Sequence, residues 1–269
     1  MSKRGVDVST HNGIINWAKV KGEIDFAMIR AGYAHTFDAQ VANNVNGCVA
    51  NGIPFGLYWF SYALSVQDAI KEADILCDFA DKCNPTYPLA YDWEYDSDNY
   101  AKKCGIKMSN AKREEFAKAF LNRVEERGYY AMIYTNIDYL NKGFSNLVNR
   151  YDTWLAHWGV DKPSRPCGIW QNASPEYGGW VNGIGKCDVD IAYKDYPYII
   201  STLKENKNEQ VKLNEKELEN IKEKYWEKYM KIAKDVIADK YGVNPVRKEK
   251  LKALGYDYDL VQEIVTALV

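Results

Sequence analysis

Pro88-Leu89-Ala90-Tyr91-Asp92-Trp93-Glu94-Tyr95-Asp96 runs apolar and then turns acidic, with Asp98 close behind. It reads as a buried strand that ends in carboxylates. Side chains alternate faces along a strand, so Asp92 and Glu94 point the same way, with Cα atoms roughly 6.5–7 Å apart. Two neighbouring carboxyls cannot both ionise freely. One pKa rises, and a proton donor near neutral pH results. Cleavage of an acetal or glycosidic bond needs that combination: a protonated acid at the leaving oxygen and an anion near the developing positive charge. The competing reading is a strand that merely enters an acidic loop, and the rest of the chain decides between the two.

Upstream of this strand, 4–10, 25–33 and 55–62 also read as strands. Downstream, 129–136, 153–158, 168–172 and 187–193 do so. The 25–33 run is apolar on both faces, which suits a strand covered on two sides in a parallel sheet. Helical spacing fills 37–51, 65–83 and 110–127, with a short helix near 137–140 and a Gly-rich hairpin-like loop at 174–185 around Trp180. Strand and helix alternate five times, and three strands then follow with little helix between them. Alternation predicts parallel strands under covering helices, and eight strands close a barrel. Barrel enzymes carry their chemistry at the C-terminal strand ends. Asp7, Asp92, Glu94, Tyr134, Gln171 and Asp188 are expected there. Asp7 lies between Val6 and Val8 and faces away from them; its bland alternative is an ion pair with Arg30 on the neighbouring strand. His157 reads as a hydrogen-bonded bystander.

The totals narrow the function. A chain of 269 residues with 46% hydrophobic content builds one large domain and a small one. A formal net charge of −2 argues against a nucleic-acid binder held by phosphate contacts. The 21 Tyr and 8 Trp are informative, because a flat apolar face with a polar edge suits a sugar ring. Tyr33, Tyr62, Tyr134 and Trp154 are the candidates for such contacts, with core or rim as the alternative. The six cysteines match no zinc or redox spacing and read as free thiols. The three histidines form no metal motif, so no metal and no cofactor is expected. No apolar run of about 18 residues exists for a membrane span. The start, Met-Ser-Lys-Arg-Gly-Val-Asp, lacks the apolar stretch of a signal peptide, which predicts cytoplasmic synthesis.

After Ile200 the composition shifts to Lys, Glu and Asn. Leu218, Ile221, Tyr225, Tyr229, Ile232 and Val236 then step by three or four, as on an amphipathic helix reaching about 240. Gly242, Asn244 and Pro245 break it. Two more helices follow over 246–254 and 257–268, the last with Leu260, Ile264, Val265 and Leu268 inward. The expected division is a barrel over 1–200, a linker over 201–217 and a small all-α three-helix domain over 218–269, more suited to binding than to catalysis.

With these residues in hand, 4–196 resembles glycoside hydrolase family 25, the Chalaropsis-type lysozymes of bacteria and phages. The carriers are Gly5-Val6-Asp7-Val8-Ser9, Tyr58-Trp59-Phe60-Ser61-Tyr62, Asp92-Trp93-Glu94, Tyr134-Thr135-Asn136, Trp154-Leu155-Ala156, Ile169-Trp170-Gln171 and Cys187-Asp188-Val189-Asp190. Their order and spacing carry the match. The resemblance implies an irregular (β/α)5(β)3 TIM-like barrel and hydrolysis of the β-1,4 bond between N-acetylmuramic acid and N-acetylglucosamine in peptidoglycan. It implies Glu94 as general acid, Asp92, Asp7 and Asp188 as its acidic partners, and Gln171 and Asp190 beside the substrate. Cys187 stands where the family pattern has Val, which leaves Asp188 and Asp190 as alternatives for the last acid.

The tail resembles the short cell-wall-binding repeats found behind some phage lysozymes, through Lys240-Tyr241-Gly242, Arg247, Leu251, Gly255-Tyr256-Asp257-Tyr258, Val261-Gln262 and Val265. That likeness implies Arg247 and Tyr256 as wall contacts. A single repeat gains from avidity, so a homo-oligomer through the C-terminal region is the expected arrangement. Neither a nucleic acid nor a membrane is expected as a partner. A phage endolysin fits these features best. The rivals are a chitinase-like N-acetylglucosaminidase on the same barrel and a wall-binding protein without catalysis.

Overall fold

The computed structural model describes residues 2–204 and 227–268. The chain divides into two compact units, Met1–Lys204 and Glu205–Val269.

The first unit is a barrel. Its strands in chain order are β1 (Lys3–Val8), β2 (Phe26–Tyr33), β3 (Thr36–Phe37), β4 (Phe55–Phe60), β5 (Leu89–Asp92), β6 (Ala131–Asn136), β7 (Asp152–Ala156), β8 (Ile169–Ala173), β9 (Trp180–Val181), β10 (Gly185–Lys186) and β11 (Asp188–Ala192). The main sheet runs β1-β11-β8-β7-β6-β5-β4-β2, and β1 pairs with β2 to close it; β3 adds at the edge of β2. β1, β2, β4, β5, β6, β7 and β8 are parallel in sequence around the barrel. β11 runs antiparallel to both its neighbours. This corrects one expectation: Asp188 is at the start of its strand, and it reaches the shared mouth only because that strand is reversed.

Alternation along each strand sorts the core. Val6, Val8, Leu57, Trp59, Leu89, Tyr91 and Ile133 face outward and pack under the helices. Phe26, Met28, Tyr58, Ala90, Met132, Tyr134, Trp154 and Ile169 face inward and fill the barrel. After the short α1 (Trp17–Val20), the outer layer includes α2 (Val41–Asn51), α3 (Val66–Cys83) and α5 (Asn110–Glu126). Ser65 and Ser109 cap α3 and α5 by accepting from the Asp68 and Lys112 backbone N–H groups. On α5, Phe116, Phe120 and Val124 are buried, as their spacing predicts. All six cysteines are free thiols.

Two elements differ from the sequence reading. The strand through Asp92 stops there, and α4 (Tyr95–Lys103) follows with Glu94 at its N-cap. That helix is polar along most of its length and has little hydrophobic periodicity to announce it. Its usable signal was Ser97, whose Oγ accepts from the Glu94 backbone N–H at 3.2 Å. A helix over 196–204 also runs into the stretch expected as linker; the rest of that linker, and the helix start expected from 218, lie outside the described residues.

The second unit is helical over 227–237, Val246–Ala253 and Tyr258–Leu268. Tyr229, Ile232, Ala233, Val236, Leu251, Val261 and Ile264 form its core. Leu268, expected inward, is exposed at the end of its helix. Among the described residues no helix is long and apolar enough to cross a membrane.

Candidate active site

The parallel strand ends and the reversed start of β11 meet at one mouth of the barrel. Asp7 is the inward residue next to the end of β1, one pleat above Gly5. Asp92 ends β5, one pleat above Ala90. Asp7 and Asp188 are register partners across β1 and β11. Asp7, Asp92, Glu94 and Asp188 all line one groove of about 420 Å³. Tyr134, Trp154 and Gln171 line it as well. Glu94 reaches the groove although it lies beyond the strand, because its backbone stays extended (φ −130°, ψ −171°). Trp93 between the two acids turns outward and is buried under the helices. Its indole N–H donates to Asp98 at 3.1 Å, and Arg113 and Tyr139 donate to the same carboxylate.

Burial sets the electrostatics. Asp7 is pushed up by desolvation and by Asp188, Asp190 and Asp92, against a lowering hydrogen bond from Gln171. Asp92 is pushed up by desolvation and by Glu94, and pulled back by Arg30. Glu94 rises to about 7, through burial first and then the charges of Asp188 and Asp96. Asp188 rises to about 6 through burial. The helix N-terminus at Glu94 favours its anion by about 0.3–1 kcal/mol. That is less than one pKa unit, worth about 1.4 kcal/mol, so burial and like charge win. Asp92 and Glu94 therefore titrate as a pair that holds a proton at neutral pH. The Arg30 guanidinium pulls Asp92 back only in part; burial and the Glu94 charge hold it well above the ordinary carboxylate range.

A buried relay orients the floor. The Tyr134 hydroxyl donates to Gln171 Oε1 at 3.1 Å, and Gln171 Nε2 donates to Asp7 Oδ2 at 2.7 Å. Trp154 Nε1 donates to Asp190 Oδ1 at 2.7 Å. Asp190 is fully buried and does not line the groove, whereas Asp188 does. Asp190 thus lies one pleat deeper than Asp188, opposite Gly5 on β1. Arg30 pairs with Asp38 at 2.8 Å, so the alternative of an Asp7–Arg30 pair is not what forms. A second hollow of about 220 Å³ shares His11, Arg30 and Phe60 with the groove and is lined by Tyr33 and Tyr62. The two tyrosine rings meet edge-on at 6.5 Å. His157 does not line the groove; the neighbouring Trp158 does. Ser9, His11, Asn12, Tyr58, Phe60, Trp158 and Lys186 also line it and were missed in the sequence. Phe60, which ends β4 and pairs with Asp92, was open to the same inward-face argument; the loop residues had no periodic signal to read.

In the second unit, Arg247 Nε donates to the Gly242 carbonyl at 2.7 Å, so its side chain braces the turn before its own helix. Tyr256 packs edge-on against Tyr229, with Lys228 Nζ 4.9 Å above its ring.

The raised carboxyls make a testable link between pH and stability. The folded chain binds these protons more tightly than the unfolded chain does. Their contribution is complete below the unfolded pKa, near 4, and is lost as pH rises through the folded values, about 6 for Asp188 and about 7 for Glu94. Glu94→Gln cannot ionise. In scanning calorimetry it melts above the wild type at pH 8, and the gap closes toward pH 4.

The profile of glycosyl hydrolases family 25 matches residues 6–179, and a CW_7 repeat matches 231–269. The chain is 29% identical over 202 residues to Lysozyme M1 of Streptomyces globisporus, covering 70% of this chain and 66% of that protein. Its fold is similar to that of the modular autolysin LytC from Streptococcus pneumoniae, solved with a synthetic peptidoglycan ligand. The TM-score is 0.61 at 26% identity, over 71% of this chain and 47% of that one. It is also similar to a bacterial lysozyme from Streptomyces coelicolor, with TM-score 0.61 at 25% identity over 74% of this chain and 95% of the other. The chain thus spans less than two thirds of the length of Lysozyme M1 and about half of the autolysin. An inward-facing carboxylate cluster on a reversed-strand barrel and a profile that covers most of the chain agree: the chain belongs to glycosyl hydrolases family 25.

Proposed function

We propose that this chain is an N-acetylmuramidase that cleaves the β-1,4 bond between N-acetylmuramic acid and N-acetylglucosamine in bacterial peptidoglycan. The observation that carries the reading is the gathering of Asp7, Asp92, Glu94 and Asp188 in one groove, with Glu94 lifted to about 7. In this reading Glu94 gives its proton to the glycosidic oxygen as the C1–O bond breaks. The acetamido oxygen of the same sugar attacks C1, and the anion of Asp92 holds the acetamido N–H and balances the positive ring that forms. Glu94, now ionised, takes a proton from the water that opens the ring. Families that use the substrate's own N-acetyl group depart from the two-carboxylate nucleophile scheme in this way. Asp7 and Asp188 hold the opposite wall. Tyr134, Trp154 and Gln171 form the floor, and Tyr33 and Tyr62 continue the groove for a further sugar.

The 231–269 repeat supports wall targeting by the second unit, with Arg247 and Tyr256 as contacts. Together the two units fit an endolysin. Self-association through the second unit would add avidity to a single repeat, and sedimentation as a strict monomer at micromolar concentration would remove that element.

The test is chemical. Purified walls are digested, the new reducing ends are reduced with borohydride, and the fragments are read by mass spectrometry. Reduced muramic acid is expected. Reduced glucosamine would establish the N-acetylglucosaminidase reading instead, and no fragments with intact wall binding would establish the non-catalytic one. Within this mechanism Asp188→Asn removes the largest charge that lifts Glu94. The alkaline limb of kcat/KM then moves to lower pH.

A further inference from the structure

Glu72 is a buried carboxyl that the chemistry above leaves unused. It lies on α3, 1% exposed, and does not line the groove. Its neighbours along the buried face of that helix are Ala69, Ala73 and Leu76. Burial lifts it to about 8, so a carboxyl here costs stability that an apolar residue would not. What it holds is specific. The Ser61 hydroxyl donates to Oε2 at 2.5 Å, and the Tyr62 backbone N–H donates to Oε1 at 3.0 Å. These donors are the two residues that follow β4, and both lead to the groove. The Ser61 backbone N–H donates to the Asp92 carbonyl at 2.8 Å. The Tyr62 ring lines the second hollow and meets Tyr33 and Tyr100 edge-on.

We propose that Glu72 is a positioning residue for glycan binding: from behind the sheet it pins the Ser61–Tyr62 turn, so that the Tyr62 ring stands ready for a sugar and the Asp92 carbonyl stays tied to β4. The proposal rests on the glycoside hydrolase reading of the groove. A residue that lowers stability while organising a site is the trade expected of functional positions. Glutamine at 72 preserves the arrangement, because its amide oxygen accepts from Tyr62 N–H and its amide N–H donates to the Ser61 hydroxyl. Leucine has similar size and removes both bonds.

The test compares wild type, Glu72→Gln, Glu72→Leu, Tyr62→Ala and the Glu72→Leu/Tyr62→Ala pair, as full chains, on soluble peptidoglycan fragments. Glu72→Gln is expected within about threefold of wild type in kcat/KM. Glu72→Leu still melts cooperatively, and its KM rises about tenfold with a smaller fall in kcat. In the Tyr62→Ala background Glu72→Leu adds little further to KM, because the ring it positions is gone. Wild-type KM in Glu72→Leu, equal damage from Gln and Leu, or fully additive losses in the double variant would overturn the proposal. If Glu72→Leu does not fold, Glu72→Met takes its place, and failure of both to fold assigns Glu72 to the fold and overturns the proposal too. An inactive wild type sinks the hydrolase reading itself, which separates that failure from this one.

Discussion

Glu94→Gln lowers kcat on purified walls by about a thousandfold or more, within the range that a positioned general acid supplies, and leaves wall binding unchanged. The amide is close in shape to the carboxylic acid and occupies the same extended N-cap position, so the groove keeps its form. It has no proton to give the leaving oxygen. The loss therefore falls on kcat, and KM stays within about twofold, as expected when an interaction made only in the transition state is removed. Turbidity clearance and steady-state release of reducing ends check both numbers. The same substitution relieves a buried charge. The variant that is dead is thus also the one that melts higher at alkaline pH, a pairing that a damaged fold would not produce.

Asp92→Asn is the second large effect, with kcat falling by a factor of about a hundred to a thousand, the size expected for loss of a preorganised charge in a closed site. Asp92 is buried, and the Arg30 charge works against the rise that burial imposes on it. Asparagine still hydrogen-bonds an acetamido group but cannot balance a positive ring. The Arg30–Asp38 ion pair stays in place. Fragments whose muramic acid has lost its acetyl group separate the roles. Wild type should fail on them as Asp92→Asn fails on normal fragments, because both lack one half of the same contact. Normal turnover of de-acetylated fragments would shift Asp92 to the role of direct nucleophile.

The site was legible in the sequence where side-chain alternation could be read. Asp7 between two valines, and Asp92 between Tyr91 and Trp93, had to face inward once their neighbours faced the helices. Glu94 was legible for a reason that only half held. It shares the face of Asp92, yet it is the first residue of a turn into α4 rather than a strand residue. That helix escaped notice because few apolar residues mark a buried face along it. The reversal of β11 was not legible either, since a short strand after a short hairpin can enter a sheet either way up. It matters, because a parallel last strand would carry Asp188 to the far end. Asp190 resembled a substrate contact; it lies one pleat deeper than Asp188, opposite Gly5, where Trp154 donates to it. Arg30 was assigned to Asp7 as an alternative partner. Asp38, which follows the two-residue strand β3, takes it instead, at a distance in sequence that no periodicity covers.

The central claim is that the mouth of the barrel keeps a proton on Glu94 near neutral pH. Carbon-13 titration of the glutamate carboxyls, with the Glu94 signal assigned by its loss in Glu94→Gln, measures this directly. The account predicts a midpoint near 7 for that carboxyl. A midpoint in the ordinary glutamate range, close to 4.3, would contradict it.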